Sequence, residues 1–241
     1  MVKKQSKNEG FTLIELILAT SLLMIVLFSG YYAYSLYSQK WQKRVDVYWR
    51  GTNQSIGVDT VNKLISSTIL YSVKSEKGQF QLFFSGDAQR MQFVTSSPIY
   101  LDGDAIVELS IRQNSLSKEV VYKEKSLADF VLIDTKQFNA TENNFWDVEA
   151  TLIDGFEDIS FAYFGWQSFE QALNDMNLEE DILRSIEKPE WYTMHKMESV
   201  RIVPEIIQVN FQTAQKVETI KISLPTNSIY FLLSNIRKGE E

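Results

Sequence analysis

The sequence predicts an α+β protein in which a long N-terminal α-helix precedes a domain built on an antiparallel β-sheet. Three observations support this prediction. A run of uncharged, mostly apolar residues extends over residues 16–39. Residues 40–73 contain no proline and repeat apolar side chains at helical spacing. After Gly78 the apolar residues alternate with polar ones, and turn residues separate the segments, which is typical of β-strands.

The composition excludes several classes of function. The chain has 241 residues, a formal net charge of −7 and no cysteine. An acidic chain repels phosphate, so we expect no nucleic-acid partner. The lack of cysteine excludes disulfides, thiolate metal sites and cysteine nucleophiles. The core must therefore form without disulfides, and 15 Phe, 11 Tyr and 5 Trp supply large apolar side chains for it.

The first ten residues are polar and basic, since Lys3, Lys4 and Lys7 outnumber Glu9. Positive charge ahead of an apolar stretch holds that end of a chain in the cytoplasm. The following residues, 11–39, contain a single charged residue and are long enough as a helix to cross a bilayer. We therefore expect a single-pass membrane protein, with the rest of the chain outside the cytoplasm.

Three kinds of N-terminal segment share this general pattern. A secretory signal peptide has a shorter apolar run followed by a small-residue cleavage site, which is missing here. A plain membrane anchor would not need Glu15 near its start. The third kind is a leader that is cleaved before the apolar run. The sequence Gly10-Phe11-Thr12-Leu13-Ile14-Glu15 resembles the type IV prepilin signature and favours this third interpretation.

The resemblance implies specific processing. Prepilin peptidase would cut between Gly10 and Phe11, which makes residues 1–10 the leader and Phe11 the N-methylated N-terminus. It also implies that Glu15 pairs with the N-terminal amine of a neighbouring subunit. A carboxylate in the apolar zone costs about 2.5–3.5 kcal/mol to insert, so it needs a partner. The alternative is a carboxylate that reaches the cytoplasmic interface beside the positive end of the helix dipole.

Aromatic residues cluster at the end of the apolar run. Many major pilins have a proline where this chain has Tyr32, and this departure favours a minor subunit. One interpretation of the aromatic residues is an interfacial belt on the outer side of a membrane, and the alternative is that some of them pack against the following domain. These residues are Tyr31, Tyr32, Tyr34, Tyr37 and Trp41.

Residues 40–73 are expected to continue the helix beyond the membrane. Their apolar stripe would cover the sheet of the following domain. Gly51 and Gly57 indicate a kink or a break in this helix. The stripe consists of Val58, Val61, Leu64, Ile65, Ile69 and Val73.

Residues 74–241 are expected to form the α+β head. Hairpins are predicted for residues 80–83 with 91–94, 106–111 with 120–122, and 200–211 with 217–224. A further strand pair is predicted on either side of Asp154-Gly155, formed by residues 152–153 and 159–164. Pro204 is expected at a sheet edge or a bulge, and residues 167–187 as a short helix or a polar excursion.

The head also resembles a more specific family. Its pattern is a strand pair ending in Phe164, a loop with Trp191, and a strand of alternating apolar residues led by Pro204. This is similar to the J-type minor pseudopilin of type II secretion. The resemblance implies a single-pass protein of the bacterial inner membrane with a periplasmic head, which acts as a structural subunit near the tip of a periplasmic pseudopilus. Its partners would be prepilin peptidase, other minor and major pseudopilins, and exported cargo. The alternative is a minor pilin that primes a type IV or competence pilus.

No catalytic set is predicted, and no cofactor or metal is expected. The single histidine, His195, cannot form an ordered triad alone and is expected at the surface or an interface. Acidic residues cluster in the 167–187 segment, but their spacing lacks the glycine and final glutamate of an EF-hand. We interpret them as a solvated helix face. These residues are Asp175, Asn177, Glu179, Glu180 and Asp181.

Overall fold

The structure is a computed structural model that describes residues 12–114, 117–128, 132–135, 145–177, 188–213 and 216–240. It has the predicted α+β architecture, with a long N-terminal helix and antiparallel sheets. The helices are α1 (Leu13–Ser66), α2 (Phe169–Asn177), α3 (Met197–Val200) and α4 (Ser228–Glu240). The strands are β1 (Ser72–Lys74), β2 (Phe80–Leu82), β3 (Phe84–Gly86), β4 (Arg90–Thr95), β5 (Ala105–Gln113), β6 (Lys118–Ser126), β7 (Val148–Phe156), β8 (Asp158–Gly165), β9 (Glu190–Tyr192), β10 (Ile206–Gln212) and β11 (Val217–Ser223).

Helix α1 belongs to two compact units, Met1–Thr52 and Asn53–Glu241. Residues 53–66 of the helix pack with the strands in the second unit, where Val61, Leu64 and Ile65 are fully buried. The helix is continuous through Gly51 and Gly57, so the predicted break is wrong.

The helix ends at Ser66, and the prediction that it extends to residue 73 is also wrong. Side-chain hydroxyls bind carbonyls of the last turn: Thr68 Oγ1 donates to Ile65 O at 2.6 Å. The amide of Ile69 then donates to Val94 O of β4 at 2.9 Å, and from there the chain runs beside the sheet. Val73 consequently lies in β1 and is buried there. Serine and threonine favour such local hydrogen bonds over helix, and this explains the early end.

The first large sheet has the order β3-β4-β5-β6-β7, with antiparallel neighbours. The predicted hairpin β5–β6 is confirmed, with Ile111 opposite Val120. The hairpin before it was predicted with the wrong first strand. Residues 80–82 form β2 and pair with β1, whereas β3 pairs with β4. The reversal occurs after Gly86 because the Asp87 carboxylate accepts hydrogen bonds from the amides of the next turn residues.

The second sheet has the order β11-β10-β8-β9. The predicted hairpin β10–β11 is confirmed. The predicted strand pair around Asp154-Gly155 is wrong, because β7 pairs with β6 while β8 pairs with β10 and β9. The chain passes from one sheet to the other at Glu157, whose amide donates to Gln212 O. Pro204 precedes β10, which is a central strand, so it lies neither at an edge nor in a bulge.

The inner faces of both sheets share one core. Strand β8 shows the alternation that the sequence predicted, with Ile159, Phe161 and Tyr163 buried and their neighbours partly exposed. Residues 53–66 of α1, together with α2 and α4, cover the same core. A smaller cluster lies apart from it and contains Val73, Phe83, Val94, Ile106, Leu132, Phe145 and Met197.

Gly57 is required where α1 packs on β7. A Cβ at this position would lie 2.5 Å from both Leu152 O and Ile153 Cγ1. We expect Gly57→Ala to lower the free energy of unfolding by about 2 kcal/mol, since overpacking a core outweighs the gain in helix propensity. Chemical unfolding of the full chain in detergent micelles measures this change.

Gly51→Ala is the matched control in the same helix. Nothing lies within 4 Å of a Cβ at Gly51, so this variant should stabilise the chain by up to about 1 kcal/mol. Equal effects of the two substitutions would contradict the proposed contact between Gly57 and β7.

Candidate functional site

The N-terminus of α1 is held by a reciprocal pair of hydrogen bonds. The backbone amide and the hydroxyl of Thr12 each donate to Glu15 Oε2 at 3.0 Å. In return, the Glu15 amide donates to Thr12 Oγ1 at 3.4 Å. Thr12 O also accepts the first helical hydrogen bond, from the Leu16 amide at 3.2 Å. This arrangement is a capping box, in which Thr12 is the N-cap residue and Glu15 the third residue of the helix.

The helix that follows the cap is apolar on every side and exposed. Phe28, for example, exposes 70% of its surface, and no part of the most apolar 18-residue window is buried. A helix that is apolar all round does not match a water-facing surface. It is compatible with a single membrane pass, and it is the one helix among the described residues that is long and apolar enough for this.

A loop of the head is fixed by a buried carboxylate. Glu124 is fully buried in β6 and accepts hydrogen bonds from the amides of Ile99 and Tyr100, both at 3.1 Å. It also accepts a hydrogen bond from the Tyr122 hydroxyl, and burial and this bond raise the pKa of Tyr122. The partners satisfy the carboxylate and hold the two loop residues beside a groove.

The groove has a volume of about 480 Å³ and lies between residues 53–60 of α1, this loop and β7. Ile56 and Tyr100 line it and are 59% and 58% exposed. Beside it, the side-chain amide of Gln54 donates to Asp154 O at 3.2 Å and joins α1 to β7. The groove is thus a partly apolar recess.

His195 is buried, and the prediction that it lies at the surface or an interface is wrong. It is 1% exposed, its Nδ1 is 2.9 Å from the Tyr192 hydroxyl, and its Nε2 is 2.9 Å from Ile202 O. The carbonyl can only accept, so Nε2 carries the proton and Nδ1 accepts from Tyr192. The Phe84 ring packs edge-on against the imidazole at 5.1 Å. A neutral imidazole with both nitrogens satisfied can be buried at little cost.

Comparison with protein families identifies the N-terminal segment. Residues 5–31 match the family model described as the prokaryotic N-terminal methylation motif. The chain has a prepilin-type N-terminus. The match supports a type IV pilin-like protein that prepilin peptidase processes and that assembles with other pilin-like subunits. No curated protein matches the chain at a significant level.

The prepilin-type motif contains all three predicted site residues, but the structure describes one of them. Glu15 lies in the first turn of α1, where its carboxylate binds Thr12. Gly10 and Phe11 lie outside the described residues, and the cleavage position stays a prediction. Sequence reasoning missed the role of Thr12, although the spacing T-x-x-E is the signature of a capping box.

No catalytic or metal-binding arrangement is evident in the described part of the head. Within that part, no group of three His, Asp or Glu residues is placed to hold a metal ion. Asp175 and Asn177 lie in α2. Glu179, Glu180 and Asp181 lie outside the described residues, so the predicted acidic helix face is tested only at its start.

Burial of His195 should make the stability of the head depend on pH. Burial lowers the pKa of His195 to about 4, from an ordinary value of 6.5. Between these values the unfolded chain binds the proton more readily, so acidification favours unfolding. We expect the free energy of unfolding to fall by about 2 kcal/mol between pH 7.5 and pH 5 from this group. Chemical unfolding of the full chain in micelles at the two pH values measures the loss.

Two measurements isolate this effect from carboxylate titration. His195→Gln cannot be protonated, so it should lose less stability on acidification than the unmodified chain. The chain has one histidine, so its ring proton resonance reports the pKa of His195 directly. A value at or above 6.5 would contradict the prediction.

Proposed function

We propose that this chain is a structural minor pseudopilin of a type II secretion system, and that it acts near the tip of a periplasmic pseudopilus. The observation that carries the proposal is the methylation motif at residues 5–31, which leads directly into an exposed helix that is apolar on all sides. Such a helix is stable in a bilayer before assembly. In a filament, the same surface packs against the helices of neighbouring subunits.

Cleavage between Gly10 and Phe11 would create a free N-terminal amine on Phe11, which is the proposed partner of Glu15 in a neighbouring subunit. The new amine of Phe11 would lie one residue before the N-cap, Thr12. Both hydrogen bonds from Thr12 go to Glu15 Oε2, and Oε1 has no partner among the described residues. This oxygen is available to the amine of a neighbouring subunit. An ion pair between the amine and the carboxylate would lower the free-energy cost of placing either charge in apolar surroundings.

The arrangement of the head supports the choice of a minor pseudopilin over a generic pilin. The exposed Trp191 of β9 packs on Phe164 of β8, with 5.3 Å between the ring centroids. Pro204 lies two residues before Ile206, the first residue of the central strand β10. Trp191 and Pro204 both belong to the J-type resemblance, although Trp191 lies in strand β9 rather than in a loop. The groove beside Ile56 and Tyr100 offers a recess to a neighbouring head.

Cleavage tests the first part of the proposal. The full chain should be expressed in membranes with and without prepilin peptidase, and its N-terminus determined by intact mass and N-terminal sequencing. We expect loss of residues 1–10 and one added methyl group on Phe11. Gly10→Leu should block cleavage because a side chain hinders the extended approach to the protease, whereas Gly30→Ala should not. A product that retains residues 1–10 in the presence of the peptidase would overturn the proposal.

Partner identification tests the second part. The full chain, cross-linked in the envelope and recovered in detergent, should bring small pseudopilins and secretion-system proteins with it. Recovery of a major pilin and pilus-assembly proteins would instead favour the minor pilin of a type IV or competence pilus. Conversion of a substrate by the purified chain would contradict the structural role in both cases.

A further inference from the structure

A basic segment follows the apolar run of α1. Residues 40–50 contain four Lys or Arg and one Asp, whereas residues 11–39 contain no Lys or Arg. The unit Asn53–Glu241 differs sharply, because it holds 17 basic and 28 acidic residues. The positive charge that remains outside the leader and the head is therefore concentrated in about three turns of helix, directly after the apolar run.

The helix arranges this charge as a stripe. Lys40, Lys43 and Arg44 are spaced i, i+3 and i+4, so they lie on one face of α1. All three are exposed, and none forms an ion pair with any other residue that the structure describes. We call these three residues the basic face. Their charges are available to an external anion.

An aromatic stripe lies beside the basic face. Helical spacing places Tyr37, Trp41 and Tyr48 next to one another on the adjoining side of α1. Trp41 is 58% exposed, and its ring stacks with that of Tyr37 at 6.3 Å between centroids. Tryptophan and tyrosine next to lysine and arginine are typical of a helix at the level of lipid headgroups. There the rings lie at the interface and the long basic side chains extend to the headgroups.

The position of the basic face also argues for a binding role. It lies on the outer side of the span, whereas positive charge favours the cytoplasmic side during insertion. Lys3, Lys4 and Lys7 of the leader set the orientation, and the basic face opposes it. Because it does not help insertion, its charge needs another explanation. Charge complementarity with an anionic surface at the depth of the headgroups supplies one.

We propose that the basic face binds anionic phospholipid headgroups in the outer leaflet of the inner membrane and so holds the subunit at a fixed depth before assembly. The assignment to the outer leaflet rests on the proposed function. The basic face would bind the phosphate and the aromatic stripe would lie among the upper acyl chains. Cleavage removes the three leader lysines, so this contact would be the main electrostatic link between the mature helix and the lipid.

The test uses the full chain and two lipids, phosphatidylglycerol and phosphatidylcholine. Native mass spectrometry of the detergent-solubilised chain, titrated with each lipid, counts the lipid molecules that stay bound. We expect phosphatidylglycerol to bind roughly tenfold more tightly than phosphatidylcholine. The triple variant Lys40→Gln, Lys43→Gln, Arg44→Gln should lose this preference. A triple variant of exposed head lysines, Lys63→Gln, Lys77→Gln, Lys196→Gln, loses the same charge and should keep it.

Flotation separates this proposal from the proposed function. The chain should float with vesicles of pure phosphatidylcholine, because the apolar helix alone is sufficient for insertion. Failure to float would overturn the membrane span, and flotation without a phosphatidylglycerol preference would overturn only the lipid contact. If the basic-face variant keeps its lipid preference but loses self-association by sedimentation, the basic face binds the acidic head of another copy, and the lipid assignment is wrong.

Discussion

Glu15→Gln is expected to leave cleavage of the leader intact and to reduce incorporation into filaments at least about tenfold. A glutamine still accepts hydrogen bonds from Thr12, so it preserves the capping box. It cannot form the proposed ion pair with a neighbouring N-terminal amine, which would offset an insertion cost of about 2.5–3.5 kcal/mol. The measurement is the fraction of subunits recovered in sheared filaments, compared with the cleaved subunits left in the membrane.

Two further variants separate the charge of Glu15 from its role as a helix cap. Glu15→Ala removes both, and it should assemble as poorly as Glu15→Gln. Thr12→Ala keeps the carboxylate but removes the hydroxyl that binds it, and N-cap loss costs about 1 kcal/mol. This variant should assemble nearly normally. If Glu15→Gln assembles normally while Thr12→Ala does not, the capping box is the essential feature and the pairing role of Glu15 is wrong.

Gly86→Ala is expected to have the largest effect on the stability of the head. A Cβ at Gly86 would overlap the hydroxyl of Tyr163 and lie 2.6 Å from its Cζ. Neither the backbone of Gly86 nor the side chain of Tyr163 can move easily. Gly86 exchanges two backbone hydrogen bonds with His195, at 2.9 and 2.7 Å, and Tyr163 is fully buried. We expect a loss of about 3 kcal/mol or more in the free energy of unfolding, measured by chemical denaturation of the full chain in micelles.

A double-mutant cycle tests the contact itself. Tyr163→Phe alone should cost about 1 kcal/mol, because its hydroxyl donates to Asp87 O at 2.9 Å. It also removes the atom that a Cβ at Gly86 would overlap. The double variant should therefore lose clearly less than the two single variants together. Additive losses would show that Gly86→Ala acts through some cause other than Tyr163.

Sequence patterns were sufficient where a single physical requirement dominates. The length and charge of the N-terminal segment determine a membrane-compatible helix, and the few residues between β5 and β6 and between β10 and β11 leave little choice of partner strand. The alternation in β8 likewise reflects a strand with one buried face. The motif at residues 10–15 predicted the type of N-terminus, which the family match supports.

The errors arose where tertiary contacts decide. A turn signal at Asp154-Gly155 favours a hairpin of β7 with β8. Instead β8 pairs with β10, and the chain changes sheets at Glu157. The end of α1 depends on the hydroxyl of Thr68 and on a hydrogen bond to β4. The burial of His195 depends on Tyr192 and on a carbonyl seven residues later in the chain. The β8–β10 pairing and the hydrogen bond from Ile69 to Val94 join residues far apart in the chain, and a one-dimensional pattern does not contain them.

The passage of the chain between sheets at Glu157 has a consequence for the order of folding. In the first sheet each strand from β3 to β7 pairs with the next strand in the chain, so the sheet can form as soon as Phe156 is available. Strand β8 pairs along most of its length only with β10, where Phe164 lies opposite Ile206 and Ile159 opposite Phe211, and β9 pairs only with its end. Loop closure costs more entropy as the loop lengthens, and non-local pairing slows folding. We therefore expect the local pairs of the first sheet to form early in folding, and the pairing of β10 with β8 to form late.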